Sequence, residues 1–139
     1  MIILDTNVLS ALMQQQPDPK VVKWVDSQPS ESIWLSSITL FEARYGLALL
    51  PSGQRKSLLE NRFEELLSDE MQHRILLFDA DAAKAAALLA AERKEAGRPI
   101  DMRDTFIAGI ALANSATIAT RNIRHFSDLS VAVVNPWEC

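Results

Sequence analysis

Short apolar runs and longer stretches of helical periodicity alternate along the whole chain. Apolar runs at 2–4, 33–36, 75–78, 117–120 and 131–134 are predicted to be strands. Most are continuously apolar instead of alternating in and out, the pattern of a parallel sheet covered on both faces. Segments with helical spacing at 8–13, 19–26, 38–50, 55–67, 80–96 and 104–113 lie between or beside them. "PDP" at 17–19 and "PSG" at 51–53 break the chain, and Gly97 stands where a helix C-terminus favours glycine. No repeat, low-complexity tract or long linker divides the sequence. The expectation is a single α/β domain over residues 1–139, with three layers (α/β/α) around a central, mainly parallel five-stranded sheet. In such a fold the ligand site lies at the carboxyl ends of the strands.

Composition narrows the class without naming a function. With 139 residues, 48% hydrophobic and 23% charged, the chain is ordinary for a globular protein with its own core. The one cysteine, Cys139, has no partner in the chain, which excludes an internal disulfide framework. No positively charged leader-like stretch precedes the first strand, and no apolar run approaches the ~20 residues of a membrane span. The expectation is a cytoplasmic protein with no membrane partner. A net charge of −4 argues against a broad nucleic-acid-coating surface, but not against an enzyme that holds one phosphate through a metal. Positive charge is also uneven. Arg93, Lys94, Arg98, Arg103, Arg121 and Arg124 face only Glu95, Asp101 and Asp104 over that stretch, either a solvated helix face and loop or a substrate-facing patch.

The acids carry the candidate chemistry. "MIILDTNVLS" sets Asp5 directly after the first strand, where Asp5, Thr6 or Asn7 would each cap the following helix. "TLFE" places Glu42 three residues after Thr39, the spacing of a capping box. Asp101 and Asp104 lie three apart at a helix start, where the helix dipole favours negative charge. Capping explains each acid singly and explains the set less well. Glu42 interrupts the apolar "LFEARYGLALL", where an unpaired carboxylate is costly. Asp104 is the only charge in "DTFIAGIALA", a helix apolar nearly all round. Three acids rising from apolar surroundings are the oxygen ligands that a hard divalent ion such as Mg²⁺ takes. "ATRN" delivers Arg121 and Asn122 to the same sheet edge and offers a fourth oxygen.

Other chemistries find less support. Four glycines, at 46, 53, 97 and 109, build neither a phosphate loop nor a dinucleotide fingerprint. One cysteine with His73 and His125 gives no zinc spacing, and His125 reads as a loop histidine more simply than as a catalytic base. "FDADAAK" offers the Asp79 and Asp81 pair of an aspartyl-phosphate phosphatase, but Ala83 stands where a hydroxyl is expected. Asp79 reads instead as the cap of the Ala-rich helix, and Asp81 as a first-turn charge. That helix reads as strong propensity with small side chains for close packing. Trp24, Trp34 and Trp137 read as core or interface filler.

"LDTN", Glu42 in "ITLFEARYG", "DMRDTFIAGIALA" and "IATRNIRHF" follow one another in the order and spacing of a PIN domain. The chain resembles the VapC toxins of bacterial toxin–antitoxin pairs, and with "VAVVNPW" near its end it is most similar to the FitB-type branch. The resemblance implies a metal-dependent endoribonuclease. Asp5 and Asp104 match the principal Mg²⁺ or Mn²⁺ ligands, and Glu42 matches the third acid. Asn122 stands where many members carry a fourth acid, a departure that removes one negative charge and weakens one metal position. Asp101 is a less constant neighbour, and Asp128 lies too far downstream to replace the missing acid.

The implied mechanism has a metal-activated water attacking the phosphodiester in line, with Glu42 orienting or deprotonating it and Asn122 holding a water or a phosphate oxygen. Arg121, Arg124 and Arg103 would steer the backbone. Such an attack does not use the 2′-OH, so the RNA preference is an implication of the resemblance alone. The family also implies a homodimer and a cognate VapB-like antitoxin that offers an Arg toward the acids. Operator DNA would be bound through that antitoxin. Two other functions fit the same acids: a PIN-fold module that binds a partner without catalysis, which Asn122 favours, and a nuclease for single-stranded DNA.

Overall fold

The computed structural model describes every residue, Met1–Cys139. Five strands, β1 (Ile2–Leu4), β2 (Ile33–Ser36), β3 (Ile75–Leu76), β4 (Thr117–Ala119) and β5 (Val133–Val134), form one sheet in the order β3-β2-β1-β4-β5. Every pairing is parallel, as the continuous apolar runs predict. Six helices cover it: α1 (Thr6–Met13), α2 (Pro19–Asp26), α3 (Ser37–Ala48), α4 (Gln54–Glu65), α5 (Ala80–Glu95) and α6 (Met102–Asn114). The sequence overextends β3, β4 and β5 at one end each. Apolar residues continue beyond the backbone pairing at β3 and β5, but Leu77 and Ala132 are exposed there, so the apolar run outlasts both the ladder and the core. One π-helical turn, Leu66–Glu70, extends α4, with Met71 N–H bonded to the Leu66 carbonyl at 2.9 Å. No helix is long and apolar enough to cross a membrane.

Strand alternation divides the core in two. Leu4, Leu35 and Ala119 point to one face, where Val8, Leu9, Phe63 and Leu67 meet them. Ile3 and Ile118, cross-strand partners, point to the other, against Ile107, Ile110 and Phe126. The second layer is tightly packed. A side chain at Gly109 would meet the Ala82 carbonyl and the Ala86 methyl at 2.6 Å, so the small residues of α5 do set how closely α6 approaches.

The layout fixes where chemistry can sit. β1 lies between β2 and β4: the chain adds β2 and β3 on one side of it and then returns to add β4 and β5 on the other, the switch point where open α/β sheets keep their ligands. Asp5 follows β1 there and Thr120 follows β4. The Asp5 N–H donates to the Ala119 carbonyl at 2.9 Å and holds the two ends side by side.

Candidate active site

Asp5 does two things. Its backbone is extended (φ −71°, ψ 162°), and its Oδ1 accepts the Thr6 N–H at 2.8 Å, so it caps α1. Its Oδ2 accepts the Thr120 hydroxyl at 2.8 Å and the Asn7 amide at 3.2 Å. An ionised carboxylate has about four acceptor positions; three are taken and the residue is 4% exposed. Burial pushes the Asp5 carboxyl above its ordinary range despite the bonds from Thr120 and Thr6, and the charge on Asp104 pushes the same way.

Asp104 arrives from the first turn of α6. Asp101 caps that helix by accepting the Arg103 N–H at 2.8 Å, which leaves Asp104 free for other contacts. Its Oδ2 meets His125 Nδ1 at 2.7 Å. Burial again raises the carboxyl and outweighs His125, with Asp101 and Glu42 adding repulsion. Glu42 comes from α3 and accepts the Thr6 hydroxyl at 2.8 Å. Thr39 is not the cap of that helix, contrary to the capping-box spacing. The Ser36 hydroxyl at the end of β2 accepts the Thr39 N–H at 3.0 Å, which starts α3 earlier and carries Glu42 into its second turn.

The remaining predicted residues surround these acids unequally. Asn122 N–H donates to the Thr120 hydroxyl oxygen at 3.0 Å, and its side chain is exposed at the sheet edge. Arg103, half exposed, lies 3.5 Å from both Glu42 and Asp101. Arg124 is exposed, and Arg98 holds its carbonyl at 2.7 Å. Arg121 lies over the Trp137 ring, 4.8 Å from its centroid. That indole is therefore more than filler.

Four contributors escaped the sequence reading. Thr6 and Thr120 orient carboxylates, and only their places beside "LDTN" and "ATRN" hint at it. His125 does lie in a short helical turn after β4, but its ring also meets Asp104 across 21 positions of sequence. Arg93 is the fourth. It is 3% exposed, not part of a solvated helix face, and its guanidinium grips Asp128 with two bonds of 2.9 Å. It also donates to the Thr105 hydroxyl at 2.9 Å and the His125 carbonyl at 2.8 Å, which ties the 123–128 segment to α6. Asp128 is thereby committed to Arg93, away from the acid cluster. Asp79 caps α5 through the Ala82 N–H at 3.0 Å, as its sequence context predicts.

A hard divalent cation suits this donor set in a particular way. No three side chains among His, Cys, Asp and Glu stand close enough together to share one ion. Mg²⁺ often takes only one or two carboxylates and keeps water and substrate phosphate as its other ligands. Asp5 and Asp104 fit that mode, and both are held in a state that a cation would relieve.

Known proteins show the same organisation. The family model for the PIN domain matches residues 2–131. VapC ribonuclease Y4jK of Sinorhizobium fredii is 41% identical over 138 residues, 99% of each chain. Toxin FitB of Neisseria gonorrhoeae is 42% identical over 137 residues, again 99% of each. The crystal structure of FitAcB from the same organism matches with a TM-score of 0.91 at 41% identity, covering 100% of both chains. VapBC2 of Rickettsia felis, solved bound to a DNA fragment from its promoter, matches at 27% identity with a TM-score of 0.80, covering 97% of this chain and 98% of that one.

Proposed function

The chain belongs to the PIN-domain family, and from that premise we propose that it is the ribonuclease toxin of a VapBC-type toxin–antitoxin pair, cutting RNA phosphodiesters with Mg²⁺ or Mn²⁺. The observation that carries the reading is the pair Asp5 and Asp104, two desolvated carboxylates with no Arg or Lys partner at the switch point of the sheet. A related chain of 41% identity named a ribonuclease and one of 42% named a toxin support the activity. The promoter-bound VapBC2 complex supports an antitoxin partner and operator DNA.

Asp5 and Asp104 would hold the ion. When bound, it would neutralise charge on the scissile phosphate and make a water more acidic. Glu42, fixed by the Thr6 hydroxyl, orients the attacking water or accepts its proton. The water oxygen bonds to phosphorus as the in-line P–O bond breaks. Asn122, exposed beside Thr120, holds a water or a phosphate oxygen, and Arg124 and Arg103 attract the backbone. His125 holds Asp104 in place. The proposal includes a homodimer. Phe41, Tyr45 and Leu49 recur every four residues on the exposed side of α3, with the first two rings stacked, and such apolar surface favours a partner.

Cleavage of a mixed panel of RNA and single-stranded DNA by the purified chain in Mn²⁺ tests the proposal. RNA cutting that disappears with a chelator and in Asp5→Asn is the expected outcome. DNA cutting in place of RNA would redirect the substrate. Absence of both cutting and metal binding would leave a binding module.

A further inference from the structure

A cavity of ≈ 610 Å³ opens beside the acid cluster, and the nuclease mechanism does not use it. Its walls come from one side of α1, the turn into α2, Arg121 and Trp137. The volume is within the range of small-molecule sites. Its chemistry is unlike the acid cluster. Arg121 and Asp18 are its only charged residues and offset each other, while Asn7, Gln14 and Gln16 contribute neutral amides. A phosphate would favour cations or backbone donors; flat platforms with amides favour a nucleobase.

The platform is built by specific contacts. The Trp137 backbone N–H donates to Asn135 Oδ1 at 2.9 Å, and the indole packs against the core of the α1–α4 layer. The Arg121 N–H donates to Asn7 Oδ1 at 3.0 Å, and its guanidinium lies over the indole. Bases stack readily on aromatic rings and on guanidinium planes. Gln14 Nε2 donates to the Ser10 carbonyl at 3.3 Å, which leaves its amide oxygen to accept from a ligand.

Asn7 joins the two places. It lines the cavity, and its amide lies 3.2 Å from Asp5 Oδ2. One residue thus separates the cavity from a carboxylate of the acid cluster, so a nucleotide with its phosphate at the acids has its base within reach of the cavity. On the other side of Arg121 a second cavity of ≈ 480 Å³ carries Arg124 and His125 with the single acid Glu138, a wall on which arginines outnumber carboxylates where the strand's neighbouring phosphates would pass.

We infer that the cavity beside Arg121 is a base-recognition subsite, in which the base of a nucleotide flanking the scissile phosphate stacks on the Arg121–Trp137 platform and is read by Gln14 and Gln16. This inference rests on the nuclease reading above and names how that site selects where to cut.

The test uses nucleosides, which carry no phosphate and so bypass the acids. Adenosine, guanosine, cytidine and uridine are titrated into the ¹⁵N-labelled full chain without metal, with ribose as the control. The Trp137 indole N–H and the Gln14 and Gln16 side-chain amides are expected to shift with at least one nucleoside and not with ribose. Arg121→Ala, checked for a dispersed spectrum, should weaken that binding about tenfold through lost stacking. On RNA, Gln14→Ala should change which bases flank the cuts more than it changes the total rate. Resonances that stay still with all four nucleosides, or that ribose moves equally, overturn the inference. RNA cleavage with still resonances removes the subsite and leaves the nuclease. Nucleoside shifts without RNA cleavage support the pocket and remove the nuclease reading.

Discussion

Two charge clusters share the first turn of α6 and the turn around His125, and the fold treats them in opposite ways. On one side, Thr105 and the His125 carbonyl join Asp128 around the Arg93 guanidinium, which uses its Nε and both terminal nitrogens. The Asp128 carboxyl is held below its ordinary range by that contact. On the other side, Asp104 and the His125 ring join Asp5 and Glu42, and burial raises both aspartates. Neighbouring residues of one helix thus serve one network whose aspartate is paired with a guanidinium and another whose aspartates have no Arg or Lys partner. A buried charge that is matched in the folded chain supports the fold, whereas one left unmatched is kept for something that binds.

The sharpest way to break this contrast is to remove an unmatched charge. Asp5→Asn or Asp104→Asn should lower RNA cleavage about a thousandfold, the scale of deleting one preorganised electrostatic group. Their circular dichroism should stay that of the parent, because Asn also caps α1 and tolerates the first turn of α6. Full cleavage by both variants would show that these acids serve only the fold. On the matched side, Arg93→Ala should cost about 2 kcal/mol, read as a lower urea midpoint, because it empties a buried position and takes the donor from the Thr105 hydroxyl and the His125 carbonyl. An unchanged midpoint would make the network ornamental.

Metal sharpens the contrast further. Mn²⁺ at a hundred times its Kd should raise the parent's stability by about 2.7 kcal/mol. Asp5→Asn should show little of that gain while Asp128→Asn keeps it, and equal gains would place the ion elsewhere. The smallest effect is the dependence on pH in metal-free buffer, and its sign differs between the clusters. Asp128 has a depressed carboxyl, so its contribution is complete above the ordinary aspartate value of 3.8 and is lost as pH falls through the lower folded value. Asp5 has a raised carboxyl, so its ionisation costs stability in full above the raised value, and the cost is gone below 3.8. At neutral pH Asp5→Asn should therefore melt higher than the parent and Asp128→Asn lower. Both differences should shrink on acidification, and thermal melts from pH 7 to 3 will show whether they do.

Local sequence determined much of this protein. The five apolar runs, the breaks at "PDP" and "PSG", and the caps at Asp5 and Asp79 are legible because period, turn chemistry and capping act over a few residues. The same short range made the acids suspicious, since each carboxylate sits conspicuously among apolar neighbours. Strand ends were less legible, because β3 stops with its partner β2 at Leu76 while the apolar run continues through Leu77 and Phe78. What folding alone decided was which distant polar groups meet. Nothing near His125 announces Asp104, nothing near Arg93 announces Asp128, and Arg121 needs the C-terminal Trp137 to become a platform. Such contacts are set by side chains that touch, and contact across 16 to 115 positions is a product of sheet order and helix packing. The sequence supplies the charges; the tertiary structure chooses which are neutralised.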